Sequence, residues 1–309
     1  MKGRSDLTFF LGGTMDKFDL HMHSKYSPDG ELDVKDLIAI AKEKGLKYVA
    51  LSDHDRIMGV LEMIEEGKKA GISVIPAIEC STIFEHYDVH LLGYGIDIEN
   101  EYFQNLSGFL KEKNAELFYE RVDKLKKKYG IEIDVEQVIQ DSHGKNPWFL
   151  MMSQIFENPE YQKIEDFKDY IPGGKRCNPA PVNFFWDKCG YGSDLHVESK
   201  NPDFAFSVQK IHEAGGIVVL AHPFNTFYKN EELLQKAIDA GIDGIEVFSN
   251  YHTEEQIVYY EEYARKNGLL ITCGSDFHGV LKPAIQMGEY GLKKDGTEFL
   301  NAFLERIKS

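Results

Sequence analysis

The sequence predicts an α/β fold in which a mainly parallel sheet of seven strands closes into a barrel or near-barrel. Short apolar runs alternate with helical segments of roughly 10–15 residues, the pattern of βαβ units. The alternation stops at about residue 100 and resumes at about residue 200. Seven strands can be counted in the two alternating parts, and this number favours a barrel.

The first alternating part spans residues 16–99. Its predicted strands are KFDLHM, KYVALSD, SVIPAIE and DVHLLGYG. Its predicted helices are DVKDLIAIAKEKG and MGVLEMIEEGKKAG. The first of these helices ends at Gly45, and glycine is typical of a helix C-terminus.

The second alternating part spans residues 201–309. Its predicted strands are IVVLAH, GIEVFS and LLITCGSD, and its helices include NEELLQKAIDAG and TEEQIVYYEEYARKNG. Residues 100–200 lack this alternation: a long charged helix at 101–129 precedes an aromatic sequence punctuated by glycine and proline. We therefore predict one α/β domain, made of 16–99 and 201–309, with a mainly helical insertion at 100–200.

The charge balance disfavours two classes of partner. The 309 residues include 35 Lys and Arg against 51 Asp and Glu, a net charge of −16. Such a chain binds long nucleic acid or an anionic membrane poorly. Bound metal ions can still make a local site positive, so a small phosphorylated partner stays compatible with the composition.

Cysteine usage and hydropathy predict a reduced, cytoplasmic setting. Cys80, Cys177, Cys189 and Cys273 form no Cys-x-x-Cys pair and are too few for a disulfide scaffold. No apolar run approaches the ~18 residues of a membrane span. Residues 1–15 are interpreted as a leader or a disordered N-terminus, with Met15 as an alternative start.

Ionisable side chains recur at the ends of the predicted strands. They are His21, His23, Asp53, His54, Asp55, Glu79, His90, His222, Asp276 and His278. In (β/α) barrels the carboxyl ends of the strands host the active site. One strand-end histidine is usually a hydrogen-bonded structural residue, but burying so many ionisable groups without counter-ions is costly. The set therefore favours a metal site.

The spacing of these residues indicates more than one ion. His21 and His23, like Asp276 and His278, are two residues apart and face the same side of a strand. Imidazole and carboxylate ligands suit Mn, Fe or Zn. Because eight or nine ligands exceed the needs of one ion, we predict two or three divalent ions with Glu79 as a bridge.

Six motifs occur in a fixed order along the chain. They are DLHMHSKYSPDG (19–30), ALSDHD (50–55), IPAIECS (75–81), HLLGY (90–94), LAHP (220–223) and GSDFHG (274–279). Together they resemble the motifs of the PHP (polymerase and histidinol phosphatase) family, over the whole α/β part. The resemblance implies a distorted, TIM-like (β/α)7 barrel with a trinuclear metal site.

The same resemblance assigns ligands to each ion. It implies His21, His23 and Asp276 for the first ion with Glu79 bridging, His90 and His222 for the second, and Asp29, His54 and His278 for the third. One departure concerns Asp29. Many members have Ser-Asp-Gly where this chain has the segment 27–30, Ser-Pro-Asp-Gly, so the proline shifts the carboxylate by one residue.

The insertion is similar in placement to that of PHP enzymes that remove phosphate from nucleotides. An Arg-Pro-His-like element is expected there, and the corresponding segment here is Asn146-Pro147-Trp148. Lys175 and Arg176 could supply the phosphate-binding charge instead, or could be solvated loop cations. His252 resembles a position near the family's site. It could equally face solvent beside Thr253, which would cap the next helix together with Gln256.

These features predict a metal-dependent phosphoesterase that hydrolyses a phosphomonoester with a metal-bridging hydroxide as nucleophile. The favoured substrate is a nucleotide of the 3′,5′-bisphosphate type or the end of a short oligonucleotide. The alternatives are a histidinol-phosphate-type or other small-molecule phosphatase, and a non-catalytic metal- or nucleotide-binding module. Asp53 and Asp55 are interpreted either as residues that orient imidazoles or as caps of the following helix.

Overall fold

The computed structural model describes residues 17–143 and 145–308. The predicted leader at 1–15 therefore lies outside the described residues. The chain divides into two compact units. The first unit combines the part of the chain up to Ser107 with the part from Asn201 onward, and the second is Gly108–Lys200.

Seven strands form one sheet whose order follows the chain. They are β1 (Lys17–Met22), β2 (Leu46–Leu51), β3 (Ser73–Phe84), β4 (Tyr87–Tyr94), β5 (Ile217–Leu220), β6 (Gly244–Phe248) and β7 (Leu270–Cys273). Neighbours are parallel except at β4, which runs antiparallel to β3 and to β5. The predicted α/β fold with a mainly parallel sheet of seven strands is confirmed.

The residues after β7 form hydrogen bonds with β1 and its end. The His23 N–H donates to the Phe277 carbonyl, and the Asp276 N–H donates to the His21 carbonyl, each over 2.9 Å. The first and last strands of the sheet therefore meet at their carboxyl ends, where four of the predicted ligands are located.

The β3–β4 hairpin is a feature that the sequence analysis did not predict. β3 continues past Glu79, and Ser81 pairs with His90 while Phe84 pairs with Tyr87 at the turn. Because the hairpin reverses the chain, the first half of β4 lies beside the carboxyl end of β3. His90 thereby reaches the same edge of the sheet as the residues that follow the parallel strands.

The helices carry one buried face each. In chain order they are α1 (Val34–Glu43), α2 (Val60–Ala70), α3 (Glu101–Tyr129), α4 (Val135–Asp141), α5 (Pro147–Glu157), α6 (Ala180–Lys188), α7 (Phe204–Glu213), α8 (Phe224–Phe227), α9 (Glu231–Asp239), α10 (Glu254–Lys266) and α11 (Thr297–Lys308). α1 buries Val34, Leu37, Ile38 and Ala41, the i, i+3, i+4, i+7 pattern of an amphipathic helix. α2 ends at Gly71, whose φ of 75° suits a residue without a Cβ.

The first unit has a core between the sheet and the helices α1 and α2. Met22, Leu51 and Val74 of the sheet pack with Leu37 and Met63 of α1 and α2. Burying a side chain of this size contributes about 1.5–3 kcal/mol. This packing holds the strands in register, and so fixes the positions from which the polar side chains project.

The second unit has its own aromatic core. Phe184 meets the rings of Phe156, Phe167 and Tyr170 edge-on, with centroids 5.1–5.5 Å apart. Its other buried members include Phe118, Trp148, Met151 and Leu195. Edge-to-face pairs of this kind add about 0.5–1.5 kcal/mol each to the burial of their area.

The segment Asn146-Pro147-Trp148 begins α5. The Asn146 side chain accepts a hydrogen bond from the Trp148 N–H at 3.0 Å, and Pro147 is the first helical residue. Trp148 is buried. These three residues therefore build a helix start and part of the core of the second unit.

Among the described residues, the structure has no helix both long enough and apolar enough to cross a bilayer.

Candidate metal centre

Glu79 lies at the middle of a cluster of imidazoles. It is fully buried in β3. Its Oε1 is 3.0 Å from His90 Nδ1 and 2.9 Å from His222 Nε2. Its Oε2 is 3.1–3.3 Å from the Nε2 atoms of His21, His23 and His54. One carboxylate thus has five imidazole nitrogens around it, which come from five different positions of the sheet edge.

The ligand-type atoms fall into three groups, each compact enough for one ion. The groups are His21, His23, Glu79 and Asp276; His54, Glu79 and His90; and His23, Asp29, His54 and His278. Within each group all candidate ligand atoms lie within 4.8 Å of one another. The structure therefore brings together eight of the nine predicted ligands in these groups, and His222 joins them through Glu79 Oε1.

Several buried atoms of the cluster make no hydrogen bond within the described part of the chain. They are His21 Nε2, His23 Nδ1, His54 Nδ1, His90 Nδ1 and Glu79 Oε2. A buried polar atom without a partner costs about 1–3 kcal/mol. His21 Nε2 and Glu79 Oε2 lie 3.1 Å apart, but neither atom makes a hydrogen bond of normal geometry within the described residues. A buried carboxylate oxygen without a hydrogen bond, with three imidazole Nε2 atoms within 3.3 Å, fits divalent metal ions.

Asp29 reaches the third group despite the proline that precedes it. Its Oδ2 is 3.0 Å from His278 Nε2 and 3.5 Å from His54 Nε2. The Ser27 hydroxyl donates to the other oxygen, Oδ1, over 2.6 Å. The turn between Ser24 and Gly30 absorbs the extra residue, so the carboxylate still faces the cluster.

Two buried carboxylates, one on β6 and one on β1, hold the end of β1 and the residues around it in place. Glu246 of β6 accepts from His21 Nδ1 through Oε1 and from the His222 N–H through Oε2, over 2.9 and 2.8 Å. Asp19 of β1 accepts from the Ser275 N–H and hydroxyl, over 2.9 and 2.6 Å. Glu246 fixes the His21 tautomer so that Nε2 faces Glu79, a common arrangement behind metal-binding histidines.

Glu246 is a residue that the sequence analysis missed. It sits in the middle of GIEVF, a strand that is otherwise apolar and fully buried. A charged residue in a buried strand is itself a signal. Gly274 makes room for it: a Cβ there would lie 2.6 Å from Glu246 Oε1 and 2.3 Å from His21 Cβ. The close approach of β1, β6 and the residue after β7 therefore requires glycine.

Asp53 and Asp55 accept hydrogen bonds from neighbouring segments of the chain, and neither carboxylate has one of the two predicted roles. Asp53 accepts from the Ser24 N–H and hydroxyl over 2.6 and 2.7 Å. Asp55 accepts from the Ser81 N–H over 2.8 Å. The next helix, α2, begins after Gly59. The prediction that these two carboxylates orient imidazoles or cap that helix is therefore wrong; they fix the segments that follow His23 and Glu79.

Asp276 has a second set of partners that the sequence analysis also missed. Its Oδ2 accepts from the Tyr251 hydroxyl over 2.5 Å and from Lys282 Nζ over 2.8 Å. Its backbone carbonyl accepts from His278 Nδ1 over 2.7 Å. No motif marks Tyr251 or Lys282, because both reach Asp276 from loops.

The electrostatics of the centre keep its carboxyl groups ionised. Burial would raise the pKa of Glu79, but the surrounding imidazoles outweigh burial and lower that pKa well below its usual range. Burial likewise opposes ionisation of Asp276, and Lys282 and His278 outweigh it and lower that pKa. Burial lowers the pKa of His54 to about 3, which favours the neutral imidazole with one nitrogen lone pair free. Asp276 and Glu79 outweigh burial and raise the pKa of His23 to about 9, so a metal ion that binds there would displace a proton. Ionised carboxylates with a neutral imidazole are the forms that bind metal ions.

His252 supports the loop that carries His222. It is buried, its Nδ1 lies 2.8 Å from the Val247 carbonyl, and its Nε2 accepts from the Phe224 N–H over 3.1 Å. His222 and Phe224 have φ values of 22° and 41°, which are uncommon for residues with side chains. Thr253 and Gln256 form the capping box of α10. Both ring nitrogens of His252 are thus engaged inside the protein.

Lys175 and Arg176 belong to the second unit, and both are exposed. The Arg176 guanidinium donates two hydrogen bonds to the Asp187 carboxylate, over 2.9 and 3.0 Å. A phosphate would therefore compete with Asp187 for that guanidinium.

An α/β fold whose strand ends hold converging imidazoles and carboxylates defines a metal-dependent hydrolase. The PHP domain family matches residues 19–172, and this match contains the first four motifs. The chain belongs to the PHP family and is a hydrolase of phosphoric ester bonds.

The relatives that match most of the chain include three with different named activities. A 5′-3′ exoribonuclease of Haemophilus influenzae is 28% identical over 265 residues, which cover 85% of this chain and 90% of the relative. A phosphoribosyl 1,2-cyclic phosphate 1,2-diphosphodiesterase of Eggerthella lenta is 26% identical over 84% of this chain and 94% of its own. A 3′,5′-nucleoside bisphosphate phosphatase of Chromobacterium violaceum is 27% identical over 85% and 88%.

The fold is also similar to a solved structure. A protein of Bifidobacterium adolescentis, provisionally assigned as a metal-dependent phosphoesterase, superposes with a TM-score of 0.68 at 24% identity. The alignment covers 95% of this chain and 97% of the other. At this identity the likeness concerns the fold.

Proposed function

We propose that this protein hydrolyses a phosphomonoester of a nucleotide of the 3′,5′-bisphosphate type, or the phosphorylated end of a short oligonucleotide. The observation that carries the proposal is Glu79 among five imidazoles, with three overlapping ligand groups around it. Ions held in such neighbouring groups would be close enough to engage one phosphoryl group together. The relatives from three bacteria are named for phosphate esters of nucleotides, ribose or RNA.

The proposed ligands are the nine predicted ones, namely His21, His23, Asp29, His54, Glu79, His90, His222, Asp276 and His278. We propose two or three divalent ions, of Mn, Fe or Zn, since imidazole and carboxylate donors accept all three metals. Bound there, such ions lower the pKa of water, clamp phosphoryl oxygens and stabilise a leaving oxygen. A trinuclear centre is the arrangement that the three ligand groups favour.

The protein's own residues do the positioning in this proposal. Glu79 ties the ligand groups together, and Glu246 and the Asp276 carbonyl set the tautomers of His21 and His278. His252 acts through the backbone: it holds the Phe224 N–H and so the loop that carries His222. We therefore propose that His252 contributes to the substrate site by shaping its rim.

The substrate is proposed to be small. The net charge of −16 opposes binding of long nucleic acid, whereas a nucleotide or a short 5′ end meets mainly the local metal centre. Because one relative is named as a 5′-3′ exoribonuclease, the proposal includes the end of a short oligonucleotide as a substrate. Lys175 and Arg176 remain proposed phosphate contacts, with Arg176 exchanging Asp187 for the phosphate.

The barrel architecture and the cellular compartment of the protein are also proposals. We propose that the hydrogen bonds between β1 and the residues after β7 close the sheet into a distorted (β/α)7 barrel, formed by 16–99 and 201–309. Residues 100–200 would then be a mainly helical insertion. Cys80, Cys177, Cys189 and Cys273 are all free thiols, which favours a reducing, cytoplasmic setting.

The test is phosphate release from adenosine 3′,5′-bisphosphate by protein reconstituted with Mn²⁺. His54→Ala removes a nitrogen that approaches both Glu79 and Asp29. His212→Ala is the matched control, because it also removes one imidazole but lies on the exposed side of α7. We expect turnover by the wild type and the control, and loss of at least ~100-fold in His54→Ala.

Absence of turnover at confirmed metal content would remove the bisphosphate substrate. A 5′-phosphorylated oligoribonucleotide and histidinol phosphate would then be compared as the next two substrates. Failure on every phosphoester, with metal retained, would reject catalysis and favour a metal-binding module.

A further inference from the structure

The two oxygens of the Asp276 carboxylate have different surroundings. Oδ1 faces the cluster, 3.1 Å from His21 Nε2 and 2.9 Å from His23 Nε2. Oδ2 faces away from these imidazoles and is bound by Tyr251 and Lys282, over 2.5 and 2.8 Å. One oxygen is therefore available to a metal ion while the other is occupied by the protein.

Tyr251 and Lys282 form a closed triangle with this outer oxygen. Lys282 Nζ also donates to the Tyr251 hydroxyl oxygen over 2.7 Å, and the hydroxyl hydrogen points to Asp276. Nζ thus has two acceptors, and the tyrosine oxygen both donates and accepts. Each member restrains the other two, so the triangle fixes the position of Oδ2 better than one hydrogen bond would.

The triangle is built into the protein rather than lying on its surface. The side chains of Asp276 and Lys282 are 3% and 19% exposed. Lys282 follows the short 3₁₀ turn Gly279–Leu281, whose Val280 N–H is bound by Glu31 Oε2 over 3.0 Å. Lysine is seldom buried unless it is paired. A largely enclosed ammonium that is paired at the outer side of a ligand carboxylate therefore indicates a specific role.

The backbone of Asp276 increases the need for such a restraint. Its φ is 57°, in the left-handed region, a conformation that costs non-glycine residues energy and persists where the surroundings enforce it. The same residue orients His278 through its carbonyl. A change in the Asp276 side chain would thus disturb two of the three ligand groups.

We propose that Tyr251 and Lys282 are positioning residues of the metal centre, which hold Oδ2 of Asp276 so that a metal ion is bound through Oδ1 alone. The inference rests on the metal centre of the proposed function, but not on the identity of the substrate. One-oxygen binding would leave a metal ion at this place able to bind water or a phosphoryl oxygen. Without the two donors, Oδ2 is free to turn toward the ion or to draw Oδ1 away from it.

The test is Co²⁺ binding to metal-free protein, followed by visible absorption and by competition with a chelator. The variants are Tyr251→Phe, Lys282→Met and Lys282→Arg. Lys44→Met is the matched control, since Lys44 is an exposed lysine of the same unit that pairs with Glu289. Thermal unfolding of the metal-free proteins checks that each variant folds. If Lys282→Met does not fold, Tyr251→Phe still tests the inference, because it removes a single oxygen atom.

We expect Lys282→Met and Tyr251→Phe to weaken Co²⁺ binding by about 10–100-fold, the range for partners of metal ligands, and to change the absorption bands. Lys282→Arg should retain most of the affinity, and the control all of it. Unchanged affinity and spectrum in both variants would overturn the inference, as would tighter binding. The Co²⁺ affinity and the absorption spectrum do not depend on turnover. If no phosphoester were hydrolysed, the proposed function would be rejected, but this inference would not be.

Discussion

Carboxylates at the two ends of the strands in the first unit have different hydrogen-bond surroundings. At the amino ends, Asp243 precedes β6 and has a partner for each oxygen. Oδ2 accepts from the Val218 N–H and from His212 Nε2, over 2.8 and 2.9 Å, and Oδ1 accepts from Arg306 over 2.7 Å. At the carboxyl ends, Glu79 has five imidazoles within 3.3 Å, yet its Oε2 makes no hydrogen bond among the described residues.

This difference in hydrogen bonding distinguishes Asp243, a structural carboxylate, from Glu79, a candidate functional one. The Asp243 site is complete, so its contribution is to the stability of the native fold. The Glu79 site is incomplete without further atoms, and it lies next to residues in strained conformations, His222 and Asp276. Strain and unsatisfied polar atoms at one place are typical of sites that bind a ligand. The following predictions apply this comparison, starting with the largest effect.

Glu79→Gln should nearly abolish phosphoesterase activity. The amide is neutral and offers one acceptor oxygen in place of two, so it cannot link the ligand groups. Since loss of a ligand's partner already costs about 10–100-fold, loss of the shared ligand should exceed ~100-fold in kcat/KM. Glu85→Gln, at the turn of the same hairpin and paired with Lys236, is the control. Retained activity with a full metal content would contradict the central role of Glu79.

Glu246→Gln should reduce metal affinity and kcat/KM by about 10–100-fold. The amide has the same shape, but Glu246 accepts on both oxygens, from His21 and from the His222 N–H. Its NH₂ group must therefore face a donor, which displaces one of the two ligands. Metal content after dialysis measures the effect. Wild-type affinity in this variant would show that the His21 tautomer does not depend on Glu246.

Removal of metal should lower the thermal stability of the wild type. Binding to the native state alone stabilises by about 2.7 kcal/mol when the free ion is at 100 times its dissociation constant. At about 1.5 °C per kcal/mol for a chain of this length, Mn²⁺ should raise the Tm of chelator-treated protein by roughly 4 °C. Glu79→Gln should show a much smaller rise. Equal rises in both proteins would place the stabilising ion elsewhere.

The sequence was sufficient to predict the sheet and most of the candidate centre. Strand periodicity placed His21 with His23, and the structure brings both to Glu79. Asp276 and His278 also reach the centre, but both lie beyond β7, which ends at Cys273, and Asp276 has a φ of 57°. The prediction for His21 and His23 succeeds because spacing along a strand fixes direction, whereas the loop after β7 brings Asp276 and His278 to the same edge of the sheet.

The remaining parts depend on features that spacing does not encode. His90 reaches the centre because β4 is reversed, and a strand's direction is not visible in its own apolar pattern. Glu246 lies inside a strand and so escapes a search of strand ends. Tyr251 and Lys282 contact Asp276 from loops, and those contacts follow from local backbone conformations such as the positive φ of Asp276.

Asp243→Asn tests the carboxylate whose oxygens both have hydrogen-bond partners. This substitution should affect the stability of the protein rather than its catalytic activity. Burial opposes ionisation of Asp243, but hydrogen bonds from Val218, His212 and Arg306 outweigh it and lower its pKa. A carboxyl group with a lowered pKa in the folded state stabilises that state above the unfolded pKa of about 3.9, and the stabilisation is lost as pH falls through the folded value.

The variant should therefore be less stable than wild type by about 2 kcal/mol at pH 7, since the amide must turn an NH₂ toward one of these donors. The difference should shrink below about pH 4 and vanish at lower pH. Urea unfolding at several pH values measures it, with Asp239→Asn, an exposed change at the end of α9, as the control. A difference that persists unchanged at low pH would mean that shape, not charge, sets the role of Asp243. Unchanged metal affinity in the same variant would complete the contrast with Glu79, because a satisfied carboxylate at the amino ends has no part in holding the ions.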